Sequence, residues 1–379
     1  MNFQLFKSHI VKADVFHELN KVFDSGYLNE GEFVTELTNK LSSVLGSQNI
    51  ALVNSCTSAL TLALKLSGVD HLSEVISTPM TCVATNTPIK SLGAKIVWAD
   101  IDAKSGMIDP NDVERKITSK TKAVIAVAWA GNPPELIRLR KICAKRGVKL
   151  ICDAAHAFGA TINSIPISSF SDFTCFSFQA IKHFSTGDGG AIICSSQKDF
   201  ERVKSLKWFG LDRDKAKNEK GDWKGQQWDV DIEEAGFKFN MNNVAAAIGI
   251  AQLRSVEFIL QTHNKNAKLL TSLLDVDTII PAAHEKGSSN WVFSMVVNSD
   301  KLDRDTLISK LNEKGVAAGL VHVRNDFYTC FSESKSDLPG VDSFSARQFS
   351  IPCGWWLSSD DIVQISKIVK ETINESLLV

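Results

Sequence analysis

The chain predicts an α/β protein: a mostly parallel central sheet flanked by helices, followed by a smaller C-terminal α+β unit. Three observations predict it. Strand-length apolar runs alternate with helical patterns across roughly the first half of the 379 residues. The runs at 123–128 and 148–152 show no polar alternation, as strands covered on both faces require. From about Asn290 the pattern changes to shorter strands and helices in mixed order.

The elements follow in order. Residues 32–45 read as a helix, because Phe33, Leu37, Leu41 and Leu45 recur four apart and Gly46 offers a stop. A strand at 51–53 leads into a helix at 57–66 that ends near Gly68. Strands at 74–77, 95–99 and 123–128 come next. Pro134 opens a helix that runs to Lys145 and stops at Gly147, before the strand at 148–152. Short strands at 173–178 and 191–194 bracket a lysine-bearing loop. The alanine-rich helix at 244–253 has little polar surface and is expected in the interior or at a subunit contact. A mobile surface loop is expected at 215–228, rich in Lys, Asp, Gly and Trp. The C-terminal unit reads as a strand at 291–297, a helix at 304–313 stopped by Gly315, and a strand at 317–323. A last helix, capped by Ser358 or Ser359, runs to about 373. Single cores stop growing beyond about 250–300 residues, so two units are expected: a large one over 1–255 and a small one over 256–379.

Bulk properties narrow the functional class. A net charge of −1 gives no electrostatic footprint for nucleic acid or an anionic membrane. No apolar run reaches the ~18 residues that a membrane span needs, and the first residues lack a signal-peptide core. The eight cysteines form no C-x-x-C pair, so neither a zinc site nor a redox pair is expected, and a reducing cytoplasm fits.

Two segments carry chemistry. Asp153-Ala154-Ala155-His156 follows a buried strand, and in open α/β sheets ligands bind at the carboxyl ends of strands. An isolated Asp there is more often a helix cap, but here His156 stands one helical turn away with only small residues between. Lys182 lies between a strand dense in phenylalanine and the run Gly187-Asp188-Gly189-Gly190, whose backbone can turn tightly beside a ligand. An amine in such a setting is a candidate nucleophile. A carboxylate and an amine so placed are what pyridoxal phosphate needs: the amine bonds the cofactor aldehyde, and the carboxylate keeps the ring nitrogen protonated. His156 is a candidate donor to the ring oxygen. Ser55-Cys56-Thr57-Ser58 sits at a strand-to-helix junction, a ready anion site, and Ser177 offers a further hydroxyl. The glycine run is not a dinucleotide fingerprint, because G-x-G-x-x-G fails at Ile192.

These segments resemble the DegT/DnrJ/EryC1/StrS family, sugar aminotransferases that use pyridoxal phosphate on the fold type I scaffold. The resemblance spans nearly the whole chain, through Ser55–Leu60, Thr78-Pro79-Met80-Thr81, Asp153–His156, Ser177–Lys182, Gly187–Gly190 and Gly236–Met241. It implies that Lys182 bonds the cofactor and shuttles the proton. It implies further that Asp153 pairs with the pyridine nitrogen, His156 with the ring oxygen, and Thr57, Ser58 and Ser177 with the phosphate. The segment holding Lys238 would reach across a homodimer interface into the neighbour's phosphate site. Three positions depart from the family's pattern. Cys82 stands where an aromatic residue often stacks on the ring. Lys238 and Asn240 stand where Asn and Arg are frequent. Cys56 replaces a common glycine and is expected to crowd the helix N-terminus.

The reaction implied has two halves. L-glutamate converts bound pyridoxal 5'-phosphate to the pyridoxamine 5'-phosphate form, whose amine then passes to a keto or aldehyde sugar in surface polysaccharide synthesis. A nucleotide-linked keto-deoxy sugar is the preferred acceptor. An oxidised 3-deoxy-octulosonate, giving 8-amino-3,8-dideoxy-octulosonate, is the alternative, because Arg324, with His322 and Asn325, suits carboxylate recognition. His183 is a further substrate candidate. A dehydratase would carry histidine in place of Lys182. A cofactor-binding regulator is the alternative from another class.

Overall fold

The computed structural model describes residues 2–213, 231–282, 286–334 and 336–377. The loop expected at 215–228 lies outside the described residues.

Seven strands form the main sheet. They are β1 (Ile50–Val53), β2 (Glu74–Ser77), β3 (Lys95–Trp98), β4 (Thr121–Val127), β5 (Lys149–Asp153), β8 (Phe173–Ser177) and β9 (Gly190–Cys194). Between β5 and β8 a short hairpin, β6 (Thr161–Ile162) and β7 (Ile165–Pro166), stands apart. The spatial order is β1-β9-β8-β5-β4-β2-β3, and only β9 runs against the rest. The carboxyl ends of the six parallel strands therefore meet along one edge, where such sheets bind ligands.

Helices cover both faces. They are α1 (Lys12–Ser25), α2 (Glu32–Leu45), α3 (Cys56–Leu66), α4 (Val83–Ser91), α5 (Pro110–Lys116), α6 (Leu136–Arg146), α7 (Gln197–Leu206) and α8 (Asn243–Leu253). Alternate strand residues fall into two separate cores: Val75, Ile125 and Ile151 pack in one with Leu60 and Leu64 of α3, while Ile76, Val124 and Leu150 pack in the other with Leu37 of α2 and Ala246 of α8. This is the period-two geometry of a strand buried on both sides. The alanine-rich helix is interior, as expected, with Ala246, Ala247 and Gly249 buried. No single helix among the described residues is long and apolar enough to cross a membrane; α8 and its successor meet that test only as a pair bent by 59°.

Helix α9 (Val256–Leu273) packs at its start against the main-sheet core and at its end in a third core, which holds the C-terminal unit's antiparallel sheet of β10 (Ile279–Pro281), β11 (Phe293–Val297) and β12 (Gln348–Ile351). Helices α10 (Arg304–Glu313), α11 (Pro339–Arg347) and α12 (Ser359–Leu377) complete it. The strand expected at 317–323 does not form. Val316 pairs with Phe3 and Gly319 with Ser350 as single bridges, and the chain then bends toward His156.

The amino-terminal segment ties the two units together. Phe3 sits in the core of the C-terminal unit, Phe6 stacks on Trp291 at 4.9 Å, and Ser8 Oγ donates to Ala180 O in the lysine loop at 2.8 Å. Trp355 and Trp356 donate their indole N–H groups to Lys7 O and Gln4 O, so both are packing residues for this strap.

Candidate active site

Asp153 is the last residue of β5, so the strand delivers it to the ligand edge of the sheet with its side chain buried. Its Oδ2 accepts from Thr85 Oγ1 at 2.7 Å and its Oδ1 from the Ala155 N–H at 3.1 Å. Burial pushes the carboxyl up from its ordinary range, while the Thr85 and Ala155 bonds and the Lys182 charge oppose that rise. Cys56 does not crowd the start of α3 as expected. Its thiol turns inward, with Sγ 3.9 Å from Asp153 Oδ1.

Lys182 lies in the loop after β8, which Gly187 turns at φ 84°. Its Nζ stands 3.6 Å from the centroid of the Trp291 ring. Burial lowers its pKa to about 8, with Cys82, Asp153 and Cys56 holding it up against that loss of water. Cys82 thus belongs to the amine's surroundings. Trp291 is the residue that sequence reasoning missed: it brings an aromatic face to the site from just before β11, and its Nε1–H donates to Ile181 O at 2.9 Å.

His156 stacks on the same indole, with centroids 4.0 Å apart and planes 21° from parallel. Its Nε2 meets Nε2 of His322 at 3.2 Å, so one ring donates and the other accepts. Burial keeps His156 well below its ordinary pKa, helped by the charge of Lys182, and brings His322 down to about 3. Both rings are neutral near pH 7. The other nitrogen of His156, Nδ1, is buried and has no hydrogen-bond partner among the described residues.

The anion site expected from the sequence is the start of α3. Ser55 caps the helix, its Oγ accepting from the Ser58 N–H at 3.1 Å, and Ser58 Oγ donates to Asn54 Oδ1 at 2.6 Å. Thr57 stands in the first turn, half-buried. Gly190 of β9 passes so close that an added Cβ would meet Cys56 N at 2.7 Å. Ser177, at the end of β8, is paired with that same Gly190. The exposed Lys238 places its ammonium 3.8 Å from the Trp208 ring centroid and against Asn240 Oδ1, and its carbonyl lies beside Asn54 of its own chain.

Three of the substrate candidates are held by other groups of the chain. His183 is buried next to the cluster, with Nε2 3.0 Å from Ser289 O and its ring edge-on to His263. Arg324 is no free carboxylate receptor: its Nε and Nη2 grip Asp326 at 2.7 and 2.6 Å, and Nη1 meets Asp342. Asn325 is buried and bonded to Thr81 O and Asn86. Arg324 is the reason for considering an acidic acceptor sugar as the alternative, and its guanidinium is already paired with two carboxylates.

The arrangement fits pyridoxal phosphate. An amine of lowered basicity, a buried carboxylate, an imidazole nitrogen lacking a partner and a helix N-terminus meet at one edge of the sheet. These suit the cofactor's aldehyde, ring nitrogen, phenolic oxygen and phosphate.

Comparison with known proteins agrees. Residues 9–370 match the model of the DegT/DnrJ/EryC1/StrS aminotransferase family. GDP-perosamine synthase of Vibrio cholerae is 28% identical over 94% of this chain and 95% of its own. The crystal structure of the sugar aminotransferase CalS13 from Micromonospora echinospora superposes with a TM-score of 0.90 at 30% identity, covering 97% of this chain and 99% of its own. The PLP form of Spr1654 from Streptococcus pneumoniae superposes with a TM-score of 0.89 at 26% identity, with both chains fully covered at 100%.

Proposed function

Because the chain belongs to the DegT/DnrJ/EryC1/StrS aminotransferase family and is a pyridoxal-phosphate-dependent sugar aminotransferase, we propose that it moves an amino group from L-glutamate to a nucleotide-linked keto-deoxy sugar. The nucleotide-linked acceptor is supported by the name of the Vibrio relative, which makes a GDP-linked amino sugar. The bound cofactor supplies an electron sink for the carbanion that forms when a C–H bond beside nitrogen breaks.

The chain's own residues do the rest. Lys182 would hold the cofactor through its Nζ and would take and return the proton at the reacting carbon; its lowered basicity suits both tasks. Asp153 holds the ring nitrogen's proton. His156 presents Nδ1 to the ring oxygen, with its ring fixed between Trp291 and His322. Thr57, Ser58 and Ser177 bind phosphate at the start of α3. Lys238 serves the phosphate site of a second subunit in a cytoplasmic homodimer.

The meeting of Lys182 with Asp153 and His156 carries this reading. Borohydride reduction of the purified protein should leave a cofactor mass on the peptide holding Lys182. Adding L-glutamate first should convert the cofactor to its pyridoxamine form and prevent that label. No label removes the assignment of the lysine, and a label that glutamate does not prevent removes that of the donor.

A further inference from the structure

A buried polar network ends on Asp153. Thr85, on the buried side of α4, gives its one hydroxyl proton to Asp153 Oδ2. Its oxygen also lies 2.9 Å from Thr81 Oγ1, so Thr81 must be the donor in that second bond. The order of donation is fixed: Thr81 to Thr85 to Asp153.

Residues of the C-terminal unit hold the outer end. Asn325 Nδ2 donates to Thr81 O at 2.8 Å, and the Asn325 N–H donates to Pro79 O at 2.8 Å. Asn86 Nδ2 donates to Asn325 Oδ1 at 2.8 Å, and Ser77 Oγ donates to Asn86 Oδ1 at 2.7 Å. Every member from Ser77 to Asn325 is buried. A network with all partners satisfied is rigid, because each alternative leaves a buried polar atom unpaired. The charged and titratable groups facing Asp153 are Lys182, Cys56 of α3, Cys152 of β5 and Cys175 of β8. Only Lys182 carries charge near neutrality.

We propose that Thr85 is a positioning residue, whose hydroxyl, aimed by Thr81 and by the Asn325 clamp, fixes the Asp153 carboxylate as the acceptor for the cofactor's ring nitrogen. This rests on the role given to Asp153 above. It also assigns Asn325, expected to touch substrate, to the framework behind the carboxylate. The C-terminal unit thereby reaches the ring nitrogen without touching it.

The test compares two cofactors on cofactor-free protein: pyridoxal phosphate, and its 1-deaza analogue, in which carbon replaces the ring nitrogen. Thr85→Val should weaken binding of pyridoxal phosphate about tenfold, the worth of a hydrogen bond to a charged group. It should leave binding of the analogue unchanged, and Thr85→Ser should restore the wild-type ratio. Equal weakening for both cofactors would mean that Thr85 only packs, and no weakening would mean that it does nothing; either overturns the proposal. A wild-type protein that holds both cofactors equally well would instead overturn the parent role of Asp153.

Discussion

The Nζ atom of Lys182 lies 3.6 Å from the centroid of the Trp291 ring, so the amine meets an indole face where a surface lysine would meet water. An indole face favours the ammonium form, and the surrounding burial disfavours it. Burial wins, bringing the pKa to about 8.

The amine is therefore expected to lose its proton as pH rises through about 8, more than two units below an ordinary lysine at about 10.4. Only the neutral amine attacks the cofactor aldehyde. The rate of cofactor capture by cofactor-free protein should rise with pH, with a midpoint near 8. Trp291→Ala, which opens the amine to water, should move that midpoint upward. Stopped-flow absorbance from pH 6.5 to 10 measures both.

Asp153→Asn should keep the carboxylate's shape and lose its charge. The glutamate half-reaction should slow by about 10²–10³-fold, the usual cost of removing a charge-stabilising group. Single-turnover absorbance measures it. A change smaller than tenfold would remove Asp153 from its assigned role.

Acid should weaken the fold through its buried imidazoles. His322 stands at about 3 and His263 at about 4 in the folded chain, against about 6.5 when unfolded. Their depressed values mean that the unfolded state takes up protons first. Stability is complete above about pH 6.5 and falls progressively toward pH 4 and 3. Thermal midpoints should decline below pH 6.5, and His322→Gln should make that decline shallower.

Arg324→Ala should act on stability before substrate choice. The guanidinium is mostly buried and held by Asp326, itself mostly buried, so its loss should cost about 3 kcal/mol, as for a broken buried pair. Any loss in kcat/KM should be equal for acidic and neutral acceptor sugars. A selective loss on the acidic sugar would restore Arg324 as a receptor.

Much of the main sheet was legible because its strands are uninterrupted apolar runs and its helices end at glycines such as Gly46 and Gly147, both in the left-handed region. Asp153 and Lys182 were legible as ends of such elements. Helix α4 was not, because Val83–Ser91 contains Pro88 and turns the polar Thr85 and Asn86 inward while Val83 faces out. The apolar run after Gly315 read as a strand, but it makes only single bridges, Val316 to Phe3 and Gly319 to Ser350, and His322 is drawn to His156 instead. Trp291 gave no signal, since nothing local ties an indole before β11 to a lysine in a distant loop. Arg324 had a visible partner that was overlooked: Asp326 follows two residues later.

The strap from Phe3 to Ser8 joins the C-terminal core at one end to the loop carrying Lys182 at the other. Ser8 meets that loop two residues before the reactive amine, at Ala180 O. Whatever alters the first eight residues therefore acts on the backbone next to the amine, and comparing cofactor capture with and without an added tag belongs among the first controls.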